Sequence, residues 1–362
     1  MFPRLSYLEW MAGRPEAVPY DLGTSGLQGD RPDGDVVVPE PLEDLPDAPA
    51  GATLENLVAT EYDVHPEQVL LTAGATHANF IAFAAALDAA DGDEIAVEAP
   101  AYQPLVGTPM GLGASVEQFD RGPAGELDLD AMATSLGEDT ALVTLTNRHN
   151  PTGYLASVDD LAEAAAVAGD AGAPLLVDEV YAPYVLDAGA GPLGGPSVAG
   201  RENAVVTGSL TKFMGLGDLR IGWLVGPPAF VERARQIAPH VPDVAGPSRV
   251  LARRALYGAD ELVSDQRDLL AANDRALSEF VEDRDDFAGT VHEGASFGFF
   301  EPTATSVAEL VGAAWEEGVL VVPGRFFDDQ SRVRVSAGRS PTDVAVSLAR
   351  LGQVLTDVGR AP

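Results

Sequence analysis

The central part of the chain alternates short apolar runs with longer alanine-rich stretches of helical character, and this alternation is what most constrains the fold. Helices are predicted over about Thr76–Ala90 and Val158–Ala171. Six runs resemble buried strands: Val69–Thr72, Glu94–Val97, Ala141–Thr146, Pro174–Val177, Ala204–Thr207 and Ile221–Val225. Strands that alternate with helices are typical of a layered α/β structure with a mostly parallel sheet. Because the runs are continuously apolar, we expect helices to cover both faces of that sheet.

The sequence pattern changes after about residue 245. Two helical stretches, Pro247–Tyr257 and Glu261–Glu282, come before four short strand-like runs and a final helix over Pro341–Val358. The four runs are Gly289–His292, Phe297–Phe300, Val319–Val322 and Arg332–Ser336. This order favours a smaller α+β unit, whereas the first 40 residues are loop-rich and show no clear period. We therefore expect a large α/β domain over residues 40–245, and a small α+β domain formed by residues 1–39 and 246–362.

Acidic residues dominate the charge of the chain. Its 362 residues include 56 Asp and Glu against 22 Lys and Arg, which gives a formal net charge of −34. Such an excess of one sign strains a compact state in dilute buffer, but molar salt screens it because the Debye length falls to about 3 Å. We therefore hypothesise a halophilic protein from a salt-rich cytoplasm. The same charge argues against nucleic acids or anionic membranes as partners.

The sequence favours a cytoplasmic protein without a metal. No apolar run reaches the length of about 18 residues that a membrane span needs, and the first residues lack the features of a signal peptide. The chain has no cysteine and therefore no disulfide, which fits the cytosol. Its five histidines are scattered and show no metal-binding spacing, so we expect no structural metal.

The chain has a single lysine, Lys212, and the other 21 of its 22 Lys and Arg residues are arginines. Arginine carries the same charge but stays protonated and cannot form a Schiff base, whereas a lysine of lowered pKa can attack a carbonyl. A single lysine in a lysine-poor chain is by itself more often a residue without a catalytic role than a catalytic group. Its neighbours change that balance, because the hydroxyl of Ser209 and the bidentate guanidinium of Arg220 are suited to bind phosphate beside the amine.

Three further motifs lie near the ends of predicted strands, where open α/β sheets bind ligands. Gly74 lies between a strand and a helix, and a helix start binds phosphate through its free N–H groups. Asn150 precedes Pro151, which holds its backbone extended and leaves its amide to donate to a ring oxygen. Asp178 ends an apolar strand and could hold a proton on a ring nitrogen, with Tyr181 bonded to a phenolate. Each motif alone also has a structural interpretation: a turn for the first two, and a helix N-cap for Asp178.

In this order the motifs resemble those of the class I and II aminotransferases, which are fold-type-I enzymes dependent on pyridoxal 5′-phosphate (PLP). The family's Asn-Pro-Thr-Gly, Asp-x-x-Tyr and Ser-x-x-Lys-x7-Arg patterns correspond to Asn150–Gly153, to Asp178 and Tyr181, and to Ser209, Lys212 and Arg220. The resemblance covers nearly the whole chain. It implies the fold of that family, PLP as cofactor, a homodimer, and transfer of the α-amino group of an L-amino acid to a 2-oxo acid.

The resemblance also implies how the cofactor is bound. Lys212 would hold PLP as an internal aldimine and then move the proton of the substrate Cα. Asp178 would pair with the ring nitrogen, and Tyr181 and Asn150 would bind the phenolic oxygen. The phosphate would be bound by the helix start at Gly74, Ala75 and Thr76, and by Ser209 and Arg220.

On the substrate side, the resemblance implies Gly26, Asn150 and Arg334, whereas Tyr102 would stack on the pyridine ring of the cofactor. Gly26 would belong to the N-terminal segment that lies over the substrate. Arg334 would bind the substrate α-carboxylate, because a guanidinium fork matches a carboxylate. Arg332 is the alternative, because it lies two residues earlier on the same predicted strand and faces the same side.

The chain departs from the family pattern in two places. Arg148 stands where a proline or a small residue usually comes before the Asn-Pro-Thr-Gly turn. The segment Asp47–Leu54 lacks the tyrosine that often reaches the phosphate of the partner subunit in this family. The contribution of a partner subunit to the site is therefore left open.

Other functions and substrates stay possible on the sequence alone. The same fold also supports PLP-dependent lyases and decarboxylases, and a non-catalytic regulator would need a DNA-binding module for which the N-terminal residues are too few and not basic. A second arginine would favour dicarboxylic substrates, and its candidates are Arg4, Arg14 and Arg148. Aromatic substrates would be favoured by a pocket lined with Tyr7, Trp10, Phe297 or Phe299, although packing is the commoner use of such residues.

Overall fold

The computed structural model describes residues 4–27, 38–187 and 193–359 of the chain. The helices in these ranges are α1 Ser6–Met11, α2 Arg14–Ala17, α3 Leu54–Glu61, α4 Ala75–Ala89, α5 Gln103–Leu112, α6 Leu129–Ser135, α7 Val158–Asp170, α8 Pro228–Ile237, α9 Gly246–Tyr257, α10 Ala259–Glu282, α11 Val307–Glu316 and α12 Pro341–Val358. The strands are β1 Tyr20–Asp21, β2 Val69–Thr72, β3 Glu94–Ala99, β4 Ser115–Asp120, β5 Thr140–Thr146, β6 Leu175–Asp178, β7 Ala204–Ser209, β8 Gly222–Val225, β9 Phe287–Ala288, β10 Phe297–Pro302, β11 Val319–Leu320, β12 Val322–Pro323 and β13 Val333–Ser336.

A seven-stranded sheet in the order β2-β8-β7-β6-β5-β3-β4 forms the centre of the fold. Neighbouring strands from β7 to β4 are parallel, whereas β8 runs antiparallel to both β2 and β7. The predicted α/β fold with a mostly parallel sheet is therefore confirmed. The register pairs Thr146 with Asp178 and Asp178 with Thr207, so the carboxyl ends of β5, β6 and β7 meet at one edge.

Helices cover both faces of this sheet, as the continuously apolar runs predict. Leu145 and Val177 pack with α3, α6 and α7 on one face, and Leu142 and Leu176 pack with α4, α5 and α8 on the other. Every residue of β5, β6, β7 and β8 is buried. Burial of one such Leu or Val contributes about 1.5–3 kcal/mol relative to exposure, so the two layers of helices fix the position of the sheet.

The C-terminal part of the chain forms smaller sheets. Antiparallel pairing gives the order β12-β13-β10-β9, and β1 pairs with β11 in parallel. Helices α10, α11 and α12 contribute to an apolar cluster with these strands. The first part of α10 packs instead on the core of the large sheet, through Leu262, Val263 and Leu270. The boundary that we place at residue 245 stays a prediction.

Two of the predicted C-terminal strands are wrong in detail. The run Gly289–His292 is not a strand, because pairing ends with β9 at Ala288. A Cβ atom at Gly289 would lie 2.7 Å from the Phe300 ring, so the chain passes close to β10 at this point without continuing the ladder. The run Val319–Val322 is divided between β11 and β12, which pair with different strands.

Other elements were absent from the sequence-based prediction. The edge strand β4 has mostly exposed or half-buried residues and therefore lacks a continuous apolar run. Helix α5 contains Pro109 and several glycines, which hide its helical character. The N-terminal region, predicted as loop, contains α1, α2 and β1, each too short to show a period.

The long helices of the C-terminal part are amphipathic. Helix α10 buries Leu270 and Leu277, and α12 buries Leu348 and Leu351, while both carry charged residues on their other sides. Within the described ranges, no helix has the length and apolar character that crossing a bilayer requires.

Candidate active site

A pocket of about 240 Å³ lies at the carboxyl ends of the central strands. Ten of the twelve residues predicted for the site line it: Ala75, Thr76, Tyr102, Asn150, Asp178, Tyr181, Ser209, Lys212, Arg220 and Arg334. The other two lie beside it, because a Cβ atom at Gly26 would be 3.8 Å from Lys212 Cδ and one at Gly74 would be 3.1 Å from Arg220 Nη2. The fold thus brings the predicted residues into one place.

Asp178 is a buried carboxylate at the end of β6, with 5% of its surface exposed. Its Oδ2 accepts a hydrogen bond from Asn79 Nδ2 at 2.8 Å, and its Oδ1 accepts one from Val180 N at 3.2 Å. Thr207 Oγ1 in turn donates to Asn79 Oδ1 at 2.6 Å. Burial raises the pKa of Asp178, while these bonds and the charge of Lys212 oppose that rise. The described residues directly after Asp178 form no helix, so the N-cap interpretation is wrong.

Lys212 lies in the turn that follows β7. Its Nζ is 5.7 Å from the centre of the Tyr181 ring, and the Tyr181 hydroxyl is 2.7 Å from Ser25 Oγ. The backbone N–H of Leu27 donates to the carbonyl of Lys212 at 3.0 Å. The segment that contains Ser25 is therefore attached both to the backbone of the lysine and to the tyrosine beside it.

The start of α4 and Arg220 together leave a space suited to an anion. No side chain caps α4 in the described structure, and Gly74 at its start has φ +87°. Arg220 has a left-handed backbone with φ +49°, and its Nη2 donates to Ala73 O at 3.3 Å. A side chain at Gly74 would fill the gap between the helix start and the guanidinium, so glycine keeps that gap open. Ser209, at the end of β7, lines the same pocket.

Arg334 is a buried cation without a counter-charge among the described residues. It lies on β13 with 1% of its surface exposed, and it donates to Asn150 Oδ1 at 2.8 Å, to Tyr7 Oη at 3.0 Å and to Gly23 O at 2.8 Å. Its Nε is buried and has no partner within the described ranges. Arg332, the alternative, instead forms an ion pair with Asp329 at 2.8 Å and is not part of the pocket lining. A buried guanidinium of this kind is costly unless an anion binds it.

Comparison with known proteins agrees with this geometry. A family model described as aminotransferase class I and II matches residues 44–351. The chain belongs to the class I and II aminotransferases. It is a PLP-dependent aminotransferase with the fold-type-I architecture of that family.

Individual relatives are distant in sequence but similar over most of their length. The aspartate aminotransferase of Streptomyces avermitilis is 25% identical, over 88% of this chain and 81% of the relative. The capreomycidine synthase of Streptomyces vinaceus is 30% identical, over 79% of this chain and 74% of the relative. A crystal structure of a PLP-dependent aminotransferase from Streptococcus suis superposes with a TM-score of 0.86 at 23% identity, and the match covers 100% of both chains.

The residues of this aminotransferase fit PLP. A buried carboxylate, Asp178, suits a cationic ring nitrogen, and the gap kept open by Gly74 between Arg220 and α4 suits a phosphate. The only side-chain amine of the chain, Lys212, lies in the same pocket. The ring nitrogen, the phosphate and the aldehyde of PLP would therefore each find a complementary group in this pocket.

The helix that forms one wall of the pocket was missed by sequence reasoning, although Tyr7 was named as a candidate lining residue. Helix α1 contributes Tyr7, Leu8 and Met11 to the lining, although it lies in a region predicted as loop. Gln103 Oε1 accepts a hydrogen bond from the Tyr7 backbone N–H at 2.8 Å and so holds the helix in place. No periodic signal could have revealed six residues of helix. The aromatic residue Tyr7 in a short N-terminal stretch is the hint that the sequence contains.

The candidates for a second arginine lie elsewhere. Arg4 pairs with Glu9 at the surface, and Arg14 lies between the rings of Trp10 and Trp315. Arg148 is buried but does not line the pocket. Among the aromatic candidates, Tyr7 lines the pocket, whereas Trp10, Phe297 and Phe299 are not part of its lining.

Proposed function

We propose that this enzyme transfers the α-amino group of an L-amino acid with an apolar side chain to a 2-oxo acid. The observation that carries the proposal is the position of Arg334, a buried guanidinium with no carboxylate partner among the described residues, in the same pocket as Lys212. A carboxylate bound there would place the rest of an amino acid inside the pocket, within the space shared with the amine. The apolar wall of α1 supports the choice of side chain.

The cofactor would be held by residues of the large sheet. Ser209, Arg220 and the N–H groups at the start of α4 would bind its phosphate, and Asp178 would bind its protonated ring nitrogen. When bound, PLP supplies the electron sink that stabilises negative charge at the substrate Cα. Asn150 accepts from Arg334 through Oδ1, which leaves its Nδ2 group as a donor for the ring oxygen. Tyr102 would pack against the ring.

Lys212 and Arg334 would handle the substrate. The guanidinium of Arg334 would bind the α-carboxylate, with its unpartnered Nε as one donor. The Nζ atom of Lys212, once neutral, would accept the proton of Cα and return it in the next step. Since Tyr7 Oη accepts from Arg334, this tyrosine would help to keep the guanidinium in position.

The substrate side chain would meet an apolar surface. Tyr7, Leu8, Met11 and Tyr102 line the pocket on this side. In the part of the chain that the structure describes, the cations of the pocket lining are Lys212, Arg220 and Arg334, and each has a proposed role already. A second carboxylate on the substrate would therefore find no counter-charge there, and its desolvation would oppose binding.

The half-reaction tests this function. The protein would be purified in high salt with PLP, and its visible absorption recorded before and after addition of single L-amino acids. We expect leucine, methionine and phenylalanine to decrease the visible absorption band of the bound cofactor, and a 2-oxo acid to restore that band. Release of ammonia or carbon dioxide without that reversible change would favour a lyase or decarboxylase. Absence of any cofactor band, with no reduction of PLP onto Lys212 by borohydride, would contradict the proposal.

The setting of the enzyme is also proposed. A net charge of −34 supports function in a salt-rich cytoplasm, and we expect the midpoint of thermal unfolding to rise steeply between dilute buffer and molar salt. Full stability in dilute buffer would contradict this.

Helix α9 leaves Val250 and Tyr257 exposed, which supports a homodimer. Light scattering in high salt would show twice the chain mass, whereas the chain mass alone would exclude it.

The division into two domains, residues 40–245 against residues 1–39 and 246–362, is part of the same proposal. The separate apolar cluster around β10, β13 and α12 supports a second folding unit. Limited proteolysis would test it, because cleavage is expected near residue 245 before either core is digested.

A further inference from the structure

Two neighbouring loops follow the parallel strands β5 and β6, and each carries a residue of the pocket. The first carries Asn150 and the second carries Tyr181. A backbone hydrogen bond closes each loop, from Gly153 N to His149 O at 2.7 Å and from Tyr184 N to Tyr181 O at 3.0 Å. The carbonyl groups of Gly153 and Tyr184 thus belong to the two tight turns that hold the pocket residues.

The side chain of Arg148 links these two carbonyl groups. Its Nη1 donates to Gly153 O at 2.8 Å, and its Nη2 donates to Tyr184 O at 2.6 Å. The residue is 1% exposed, so water does not compete for these bonds. Because a guanidinium is planar and rigid, two bonds from its two terminal nitrogens fix the separation of the two acceptors.

We propose that Arg148 is a positioning residue that holds the loops of Asn150 and Tyr181 at a fixed separation, in the part of the pocket that is proposed to bind the cofactor. This inference rests on the proposed roles of those two residues in binding the cofactor. Arg148 touches neither cofactor nor substrate in this account. It acts only through the two turns to which it is bonded.

The other side-chain hydrogen bonds of the first loop do not supply this link. Asn147 exchanges hydrogen bonds with the backbone of Ala156, and His149 bonds to Thr152 and to Pro100 O. These bonds stay within the loop or reach the segment after β3, and the bond that Asn150 accepts from Arg334 leads to β13. Within the described ranges, Arg148 provides the side-chain bond from this loop to the loop that follows β6.

The burial of Arg148 is unfavourable unless its geometry is needed. No carboxylate lies within ion-pair distance of it among the described residues, and its Nε is buried without a partner. Burial lowers its pKa to about 10, opposed by the more distant charges of Asp274 and Glu293, so it stays a cation at neutral pH. A methionine would fill similar space without the cost of burying charge. Space-filling alone therefore does not account for a guanidinium at this position.

Hydrogen exchange measured on the protein without cofactor tests the link directly. In the Arg148→Met variant, both carbonyl groups lose their donor, and we expect amide exchange in residues 147–156 and 179–187 to become about tenfold faster, the change that corresponds to about 1.4 kcal/mol. Arg148→Lys keeps the charge and can reach one carbonyl, so its effect is expected to be smaller. If the Met variant does not fold, the Lys variant decides: unchanged exchange in both loops would overturn the proposal.

A matched control removes an arginine that links other elements. Arg284, half-buried near α12, donates to Gly352 O at 3.1 Å and to Asp286 Oδ2 at 2.7 Å. We expect Arg284→Met to lower the unfolding temperature without faster exchange in the two loops. If Arg148→Met likewise lowers only the unfolding temperature, the role of Arg148 is structural and the proposal is wrong.

Cofactor binding separates this inference from the function on which it rests. We expect the dissociation constant of PLP to rise about tenfold in Arg148→Met and to stay unchanged in Arg284→Met, with partial recovery in Arg148→Lys. Faster loop exchange with unchanged PLP affinity would overturn the positioning role. A wild-type protein that binds no PLP would contradict the proposed function, while the exchange experiment would still decide whether Arg148 fixes the loops.

Discussion

The two ends of the pocket are built from different parts of the chain. At the end proposed to bind the cofactor (the cofactor end), the polar groups follow strands of one sheet: Asp178 ends β6, Ser209 ends β7, and the start of α4 follows β2. At the end proposed to bind the substrate (the substrate end), the lining comes from α1, the segment after β1 and a strand of the C-terminal sheet that carries Arg334. One end is thus placed by a single rigid sheet, and the other by the docking of three separate segments.

This difference separates the part of the pocket that the sheet fixes from the part that can be adjusted. The hydrogen bonds between adjacent parallel strands set the spacing of the groups at their ends, and changes elsewhere in the chain leave that spacing unaltered. A short helix held by hydrogen bonds such as the one between the Tyr7 N–H and Gln103 can shift or change residues without disturbing the sheet. We therefore expect substitutions at the cofactor end to abolish the reaction, and substitutions at α1 to change which substrate is used.

The largest effect is expected from Lys212→Arg. Arginine keeps the charge but cannot act as a neutral amine, so the rate of amino transfer should fall by at least about 10³-fold. Rapid mixing with an amino acid would measure the rate of spectral change. Fluorescence titration with PLP would show that the variant still binds the cofactor through Arg220 and Asp178. A variant that reacts within tenfold of the wild-type rate would contradict the assignment.

Arg334→Lys should have the next largest effect. Lysine cannot form a two-point bond with a carboxylate, and we expect kcat/KM to fall by about 10²-fold, mostly through a higher KM. The matched control is Arg332→Lys, two residues earlier in the chain and directly before β13, whose ion pair with Asp329 lies outside the pocket lining. An equal decrease of kcat/KM in the two variants would contradict the proposed role of Arg334.

Met11→Arg addresses the apolar wall. A cation at this position should favour glutamate or aspartate and disfavour leucine, and we expect the ratio of their kcat/KM values to shift by about tenfold. Met110→Arg adds the same charge at a methionine that is 46% exposed and is not part of the pocket lining. A wild-type enzyme that already prefers dicarboxylic substrates would contradict the proposed preference for apolar side chains.

The last prediction concerns stability rather than activity, at Glu179, the residue that follows Asp178. Burial raises the pKa of Glu179 from 4.5 to about 8, although Ser197 and the Val198 N–H donate to its carboxyl. The folded protein therefore holds a proton that the unfolded chain releases, so this group favours the folded state below pH 4.5 and loses that contribution as pH rises to about 8.

Glu179→Gln removes this titration. Relative to the variant, we expect the wild-type free energy of unfolding to decline between pH 5 and 8, by on the order of 3 kcal/mol. Denaturant unfolding at constant high salt would measure the difference. Glu117→Gln, at an exposed glutamate of β4, should leave the pH dependence unchanged. Parallel curves for wild type and Glu179→Gln would show that the carboxyl titrates normally.

The cofactor end could be predicted from sequence for a physical reason. A strand buried on both faces is mostly apolar, so a charged residue at its end is conspicuous, as with Asp178. The edge of such a sheet then places these ends side by side without further information. The single lysine, Lys212, was recognisable as a candidate because a lysine amine can form a Schiff base and an arginine cannot.

The substrate end could not be predicted in the same way. Helix α1 has six residues, too few for a helical period, and its contacts with Gln103 and Arg334 join positions far apart in the chain. The misplaced strand at Gly289–His292 has a similar cause, because short strands are defined by their partners more than by their own composition. The relation between Arg148 and Tyr184 likewise depends on which loops the sheet brings together.

The presence of the single lysine in the pocket lining has a practical consequence. Apart from an α-amino terminus, Lys212 is the only amine with which an acylating reagent can react. The stoichiometry of such labelling would therefore count accessible catalytic sites directly, without a substrate or a known reaction. Protection of this amine by small carboxylic acids would serve as a screen for pocket ligands, read by mass spectrometry of one peptide.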